Sequence, residues 1–337
     1  MAAKEFGIDL GTKQIKLCKK DEGIIYNEKN IVALTEAGSV IAYGDEAYEM
    51  YEKAPDSILI TFPVSKGVIA DYTNMRNYLD YIVALSSNAK KKRDFFIAVP
   101  THITDVEKRS FLSLIDEAKL KSKRVFVVEK PIADACGAGI DVSENSSNLI
   151  VDIGADTTEV SIISSGGIVY STLCKIGGND LDISIAQIVK RKFNVIIGQK
   201  AAEYIKITLA NATNSNHESI NVMGRNIVTG LPKEVTVTSE HVYEAISEHM
   251  ETILTVVKKT LERTPPEMSS DIKEHGIYLT GGSAKLSGLK DYLSKETMIK
   301  ANVAKKPEDC VIKGLERIIE DSSLRSLAFA EIKSRYE

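Results

Sequence analysis

The chain has no tryptophan, and its 337 residues include only four cysteines, five histidines and eight prolines. Cys18, Cys136, Cys174 and Cys310 are too widely spaced for a CxxC unit, and a chain this long does not need a disulfide framework, so a reducing cytosol is expected. The histidines offer no metal cluster: His241 and His249 stand eight residues apart, and His102 follows Pro100 in a turn. A net charge of -4 supplies no basic stripe for nucleic-acid phosphates, so nucleic acid is not expected as a partner. No apolar run approaches the ~18 residues that cross a bilayer, and the opening MAAKEFGIDLGTK lacks the pattern of a secretion signal. A cytoplasmic protein is expected, neither exported nor membrane-spanning.

What is present describes a globular α/β protein. Hydrophobic residues make up 43% and charged residues 27%, and the length exceeds one ordinary domain, so two lobes are expected. Strand-like runs at 6–10, 95–99, 125–128, 148–153, 160–163, 168–173 and 277–280 alternate with helical segments. Thr104 and Glu107 form a capping box ahead of a helix. Val242, Ile246, Met250, Ile253, Val257 and Leu261 recur at helical spacing and define a long helix ending before Pro265 and Pro266.

One local design occurs twice. FGIDLGTK near the start and LIVDIGADTTEV near the middle each read as an apolar strand ending in Asp, one residue, then Gly, followed by a second β-rich run. A glycine at such a hairpin tip lets backbone N–H groups approach phosphate oxygens, and neighbouring threonines add donors. The Asp at each strand end, Asp9 and Asp152, suits a hydrated Mg2+, which carboxylates hold lightly through its waters. A third element, IYLTGGSAKLSGL at 277–289, runs from an apolar strand into Gly281 and Gly282 and then a helix, which suits a backbone passing close to a nucleotide.

The order of DLGT, VEKP at 128–131, VDIGADTTEV at 151–160 and LTGG at 279–282 resembles the actin, DnaK-type chaperone and sugar-kinase superfamily. Within it, GVIADY at 67–72, ITDVE at 103–107 and RTPPE with the downstream SDI and GIYLTGG resemble the MreB family over nearly the whole length. The resemblance implies an actin-like fold, two duplicated ribonuclease-H-like lobes around a nucleotide cleft, each with a small subdomain. The implied divisions are 1–30, 67–144 and 312–337 for the first large subdomain, and 31–66 for its small one. In the second lobe, 145–179 and 245–311 form the large subdomain and 180–244 the small one.

The same resemblance assigns residues for ATP with Mg2+. Gly11 and Thr12 fall in the first phosphate loop, where Lys16 matches a phosphate-contacting lysine and Lys13 is the alternative, and Gly154, Ala155, Asp156 and Thr157 fall in the second. Glu203 and Lys206 match positions that embrace ribose and adenine, and Gly281, Gly282 and Ser283 flank the adenosine. Glu129 aligns with the residue that positions the attacking water, a task shared with Thr158, since phosphoryl transfer is mainly positioning and charge stabilisation.

The departures are equally specific. Ala155 and Asp156 replace two loop glycines, Lys13, Gln14 and Ile15 differ from the usual first loop, Lys130 replaces an acidic residue and Ser283 replaces a third glycine. Asp156 places a negative charge near the expected phosphates, which weakens binding unless it points away or recruits the cation. Nucleotide binding is therefore a firmer expectation than ATP hydrolysis to ADP and phosphate, which should be slow or lost.

By resemblance the chain is a filament-forming cytoskeletal ATP-binding protein that directs cell shape, with itself and cell-wall synthesis and shape proteins as partners. Its filaments would be head-to-tail and double. The basic run Lys90, Lys91, Lys92 and Arg93, near Phe95 and Phe96, is a candidate for peripheral contact with anionic lipid at the inner face of the cell membrane. The competing readings are a small-molecule kinase or a chaperone-like ATPase on the same fold.

Overall fold

The computed structural model describes residues 4–86, 93–118, 122–213 and 217–330. These fall into two compact units, one within Met1–Ser146, Ile163–Val169 and Asp309–Glu337, the other within Ser147–Ile162 and Tyr170–Glu308.

The first unit begins with an antiparallel meander of β1 (Lys4–Leu10), β2 (Gln14–Lys19) and β3 (Gly23–Lys29). A small antiparallel sheet follows, built from β4 (Val32–Thr35), β5 (Val40–Tyr43) and β6 (Ile58–Thr61), with α1 (Gly44–Met50) between the last two. The two-stranded ribbon β7 (Val64–Ser65) and β8 (Val68–Ile69) leads into α2 (Tyr72–Ser86). Next come β9 (Arg93–Val99), α3 (Asp105–Glu117), β10 (Ser122–Glu129) and α4 (Lys130–Ala138).

A second sheet repeats the opening with β11 (Asn148–Ile153), β12 (Thr158–Ser164) and β13 (Gly167–Cys174), of which residues 163–169 are counted with the first unit and the rest with the second. Then follow α5 (Gly178–Phe193), β14 (Val195–Ile196), α6 (Gln199–Leu209), β15 (Ser219–Asn226) and β16 (Pro232–Thr238). The unit closes with α7 (Ser239–Glu262), α8 (Pro266–His275), β17 (Ile277–Thr280), α9 (Leu289–Thr297) and β18 (Ala301–Val303). The chain returns to the first unit through α10 (Cys310–Glu320), a 3-10 turn over Ser322–Leu327 and β19 (Phe329–Ala330).

The two main sheets share one plan. Strand order is β19-β10-β9-β1-β2-β3 in the first unit and β13-β12-β11-β17-β18 in the second. Leaving out the added edge strand β19, each sheet places its third, second, first, fourth and fifth strands side by side. β1, β9 and β10 are parallel, as are β11, β17 and β18. The repeated Asp-x-Gly design in sequence thus corresponds to a duplicated sheet.

Every residue of β9 is buried, as expected of a central parallel strand covered on both faces. On one face Phe95, Ile97 and Val99 join Phe6, Ile8 and residues of α2 and α3, including Met75, Tyr78, Phe111 and Ile115. On the other, Phe96 stacks on Phe126 with ring centroids 4.6 Å apart. Residues i and i+2 share a face, so this division follows from the pleat alone. α3 starts at the Thr104 capping box, with Glu107 N–H donating to Thr104 Oγ1 and Thr104 N–H to Glu107 Oε2. In the second unit α7 buries Val242, Ile246, Met250, Ile253 and Val257 along one stripe.

Two helices of the first unit meet backbone to backbone. The space that a Cβ would need at Gly137 on α4 is filled by the Cys310 carbonyl, and at Gly314 on α10 by the Ala133 carbonyl. A third constraint ties the end of this unit to its beginning. Arg325 donates to both carboxylate oxygens of Glu5, at 2.6 and 2.7 Å, while its guanidinium stands 5.2 Å from the Phe96 ring centroid.

The basic run predicted to face lipid divides here. Lys90, Lys91 and Lys92 lie outside the described residues. Arg93 is only 3% exposed and its guanidinium lies 5.8 Å from the Phe6 ring centroid. It opens β9 within the protein, and Phe95 and Phe96 are fully buried, so neither Arg93 nor these rings form a lipid-facing surface. Among the described residues no helix is long and apolar enough to cross a membrane.

Candidate nucleotide site

Ligands of open α/β sheets bind beyond the carboxyl ends of parallel strands, and the predicted residues gather at those ends in each unit. In the first unit, β1 carries Asp9 and then turns through Gly11, Thr12 and Lys13 into β2. The turn is tight: a Cβ at Gly11 would stand 2.8 Å from the Gln14 carbonyl oxygen. Asn30 braces it, its side-chain amide donating to Gly11 O at 2.9 Å and its backbone N–H to Lys13 O at 3.0 Å. Asn30 was not singled out from sequence, because its contact with the loop comes from the pairing of β2 with β3.

Lys16 stands opposite Asp9 in the β1–β2 register. It is buried, and its ammonium lies 3.0 Å from the Asp309 carboxylate. Asp309 precedes α10 by one residue and is a second participant with no local sequence signal. Glu129 ends β10 at the N-cap of α4, with Pro131 in that helix's first turn. Ile8 pairs with Ile97 and Val99 with Glu129, so Glu129 leaves the same sheet edge as the β1–β2 hairpin, two strands away. That separation is about 10 Å between strand axes.

In the second unit the β11–β12 hairpin carries Asp152, Gly154, Ala155, Asp156 and Thr157, closed by Gly154 N–H donating to Thr157 O at 2.8 Å. Its tip is clamped to the start of α5. Gly178 N–H donates to Gly154 O at 3.0 Å, and Asn179 N–H to Ala155 O at 2.7 Å. Gly177 must be glycine for this, since a Cβ there would lie 2.5 Å from the Ala155 carbonyl. The GGND string at 177–180 follows a strand as LTGG does, and that parallel is the sequence signal for these residues.

Asp156 has its carboxylate turned into the protein. It is 6% exposed, and Asn179 Nδ2 donates to its Oδ1 at 2.8 Å. Thr158 is fully buried and its hydroxyl donates to Ile176 O at 2.8 Å, bracing β12 against the segment before α5.

The adjacent strand β17 brings the glycine pair to the same edge, with Asp152 opposite Thr280 in the register. Gly281 has φ +81, and a Cβ there would collide with Asp152 Oδ1 and Ile153 O. By contrast, a Cβ at Gly282 would meet nothing within 4 Å. Ser283 Oγ donates to Gly154 O at 2.9 Å, linking this turn to the hairpin. On α6, Glu203 and Lys206 stand one turn apart. The Lys206 ammonium donates to Gly178 O and lies 2.8 Å from the fully buried Asp182 carboxylate. Asp152, the 154–157 tip, Lys206 and Gly281–Ser283 are thus knit together within one unit.

A duplicated α/β plan with a strand–Asp-x-Gly hairpin at the carboxyl edge of each sheet defines the actin-like class. The comparisons agree: a family model described as MreB/Mbl protein matches residues 3–326. The chain belongs to the MreB/Mbl family. It is 40% identical over 321 residues to the cell shape-determining protein Mbl of Bacillus subtilis, covering 93% of this chain and 95% of that one. It is 37% identical over 329 residues to the cell shape-determining protein MreB of Escherichia coli K12, covering 95% and 94%. Among solved structures, MreB 5 of Spiroplasma citri bound to AMPPNP superimposes with a TM-score of 0.91 at 31% identity, over 97% of this chain and 98% of that chain.

Proposed function

We propose that this chain is an ATP-binding, actin-like cytoskeletal protein that polymerises into filaments and directs cell shape by organising cell-wall synthesis. The observation that carries the reading is the near-full-length similarity to cell shape-determining proteins, joined to a close structural relative that holds AMPPNP.

Gly11, Thr12, Lys13 and Lys16 are the first phosphate-loop assignments, and Gly154, Ala155, Asp156 and Thr157 the second. Glu203, Lys206, Gly281, Gly282 and Ser283 are assigned to the nucleoside. The open space at Gly282 beside the crowded Gly281 fits a backbone that a ligand approaches closely. Asp9 and Asp152 would hold Mg2+ through its waters, and the ion would supply charge neutralisation at the phosphates. Glu129 is the group assigned to orient the attacking water. Head-to-tail association is a heterologous contact that does not close, and it gives filaments without further components.

Sedimentation of the purified protein with and without Mg-ATP tests the reading. Pelleting that depends on nucleotide is expected. Protein that stays in the supernatant under every nucleotide condition while phosphorylating a sugar or an acid would replace the filament reading with a kinase.

A further inference from the structure

Asn179 touches the second phosphate loop twice, once through its backbone N–H on Ala155 O and once through its side-chain amide on Asp156 Oδ1. Asn179 is the second residue of α5. We propose that Asn179 is a positioning residue for nucleotide binding, holding the Asp156 carboxylate against the start of α5 so that the loop's charge stays out of the phosphate position. This inference rests on the nucleotide-binding reading above.

The chemistry explains how a carboxylate can stand in a phosphate loop. An ionised Asp156 is acceptor-only, and its neighbours must supply donors. The amide of Asn179 supplies one at 2.8 Å, and the first turn of a 16-residue helix adds favourable partial positive charge. Position 179 discriminates between closely similar side chains. An aspartate there has the same size but offers an acceptor where a donor is needed, so two carboxylates would face each other at hydrogen-bond distance. Asp156 would then leave its seat, and its charge would compete with the phosphates.

The test uses Asn179→Asp, Asp156→Asn and the double variant in the full chain. Two measurements are made: hydrogen exchange of the 153–158 segment without nucleotide, and titration with AMPPNP in Mg2+. Asn179→Asp should speed exchange in that segment and weaken AMPPNP by about tenfold or more, the equivalent of one charge-assisted hydrogen bond. The double variant restores a donor–acceptor pair with its direction reversed, and should return both readouts to within about threefold of the parent. Unchanged exchange in Asn179→Asp, or a double variant no better than the single, overturns the proposal while leaving nucleotide binding intact. A parent protein that binds no AMPPNP overturns both the positioning role and the reading on which it rests, whatever the exchange rates.

Discussion

The Lys16 ammonium nitrogen lies 3.0 Å from an Asp309 carboxylate oxygen, with side-chain exposures of 3% and 12%. Two residues almost three hundred positions apart therefore share one buried ion pair in the first unit. Attraction in such a site is strong, but so is the desolvation of each ion, and the asymmetry appears when one partner is removed.

Lys16→Met leaves the Asp309 charge buried without this ammonium, and a loss of about 3–5 kcal/mol is expected in urea unfolding. The double change Lys16→Met with Asp309→Leu should recover much of that loss. Additive losses in the double variant would show that the two residues are not coupled.

The helix seam predicts a steric effect with no electrostatic part. Gly137→Ala or Gly314→Ala forces a methyl group into an occupied carbonyl position, so α4 and α10 must separate. Destabilisation of about 3 kcal/mol or more is expected from either change, measured by denaturant midpoint at constant slope. Near-parental stability would mean that the helices part freely.

Gly281 and Gly282 should respond differently despite being adjacent. Gly281→Ala meets Asp152 and Ile153 at an unfavourable positive φ and should lower the melting temperature. Gly282→Val has open space at its Cβ, so its melting temperature should stay near the parent's while AMPPNP affinity falls by about tenfold or more. Retained affinity in Gly282→Val would remove that glycine from the nucleoside assignment.

Glu5 supplies a pH dependence. Burial alone would raise its carboxyl pKa, but hydrogen bonds and charges from Arg325 and Lys20 hold it below the ordinary value. The folded carboxyl is therefore the stronger acid. Its stabilisation is complete above about pH 5 and is lost as pH falls through the folded value. Glu5→Gln should cost about 1–2 kcal/mol at pH 7. The gap from the parent should narrow in acid, and a gap that widens there would contradict the assignment.

The sequence is legible where the signal is local. The strand runs 148–153 and 277–280 coincide with β11 and β17, the Thr104–Glu107 box starts α3, and the stripe from Val242 runs along α7. It also placed Asp9 and Gly11 on one hairpin and Asp152 and Gly154 on another. What it missed depends on distant chain segments. Asp309 meets Lys16, Asn30 meets Gly11 and Asn179 meets Asp156 only after sheets and helices have assembled. Arg93 has basic neighbours in sequence, whereas its neighbours in space include the Phe6 ring.

The seam between α4 and α10 has one more implication. Where side chains separate two helices, a displacement of one can be absorbed by rotamer changes; where carbonyls press on glycines there is no mechanical play. Glu129 stands directly before α4, and Asp309, the anchor of Lys16, directly before α10. Any shift of either helix is passed to the other undamped, so the carboxylate and the lysine's anchor behave as two handles on a single lever.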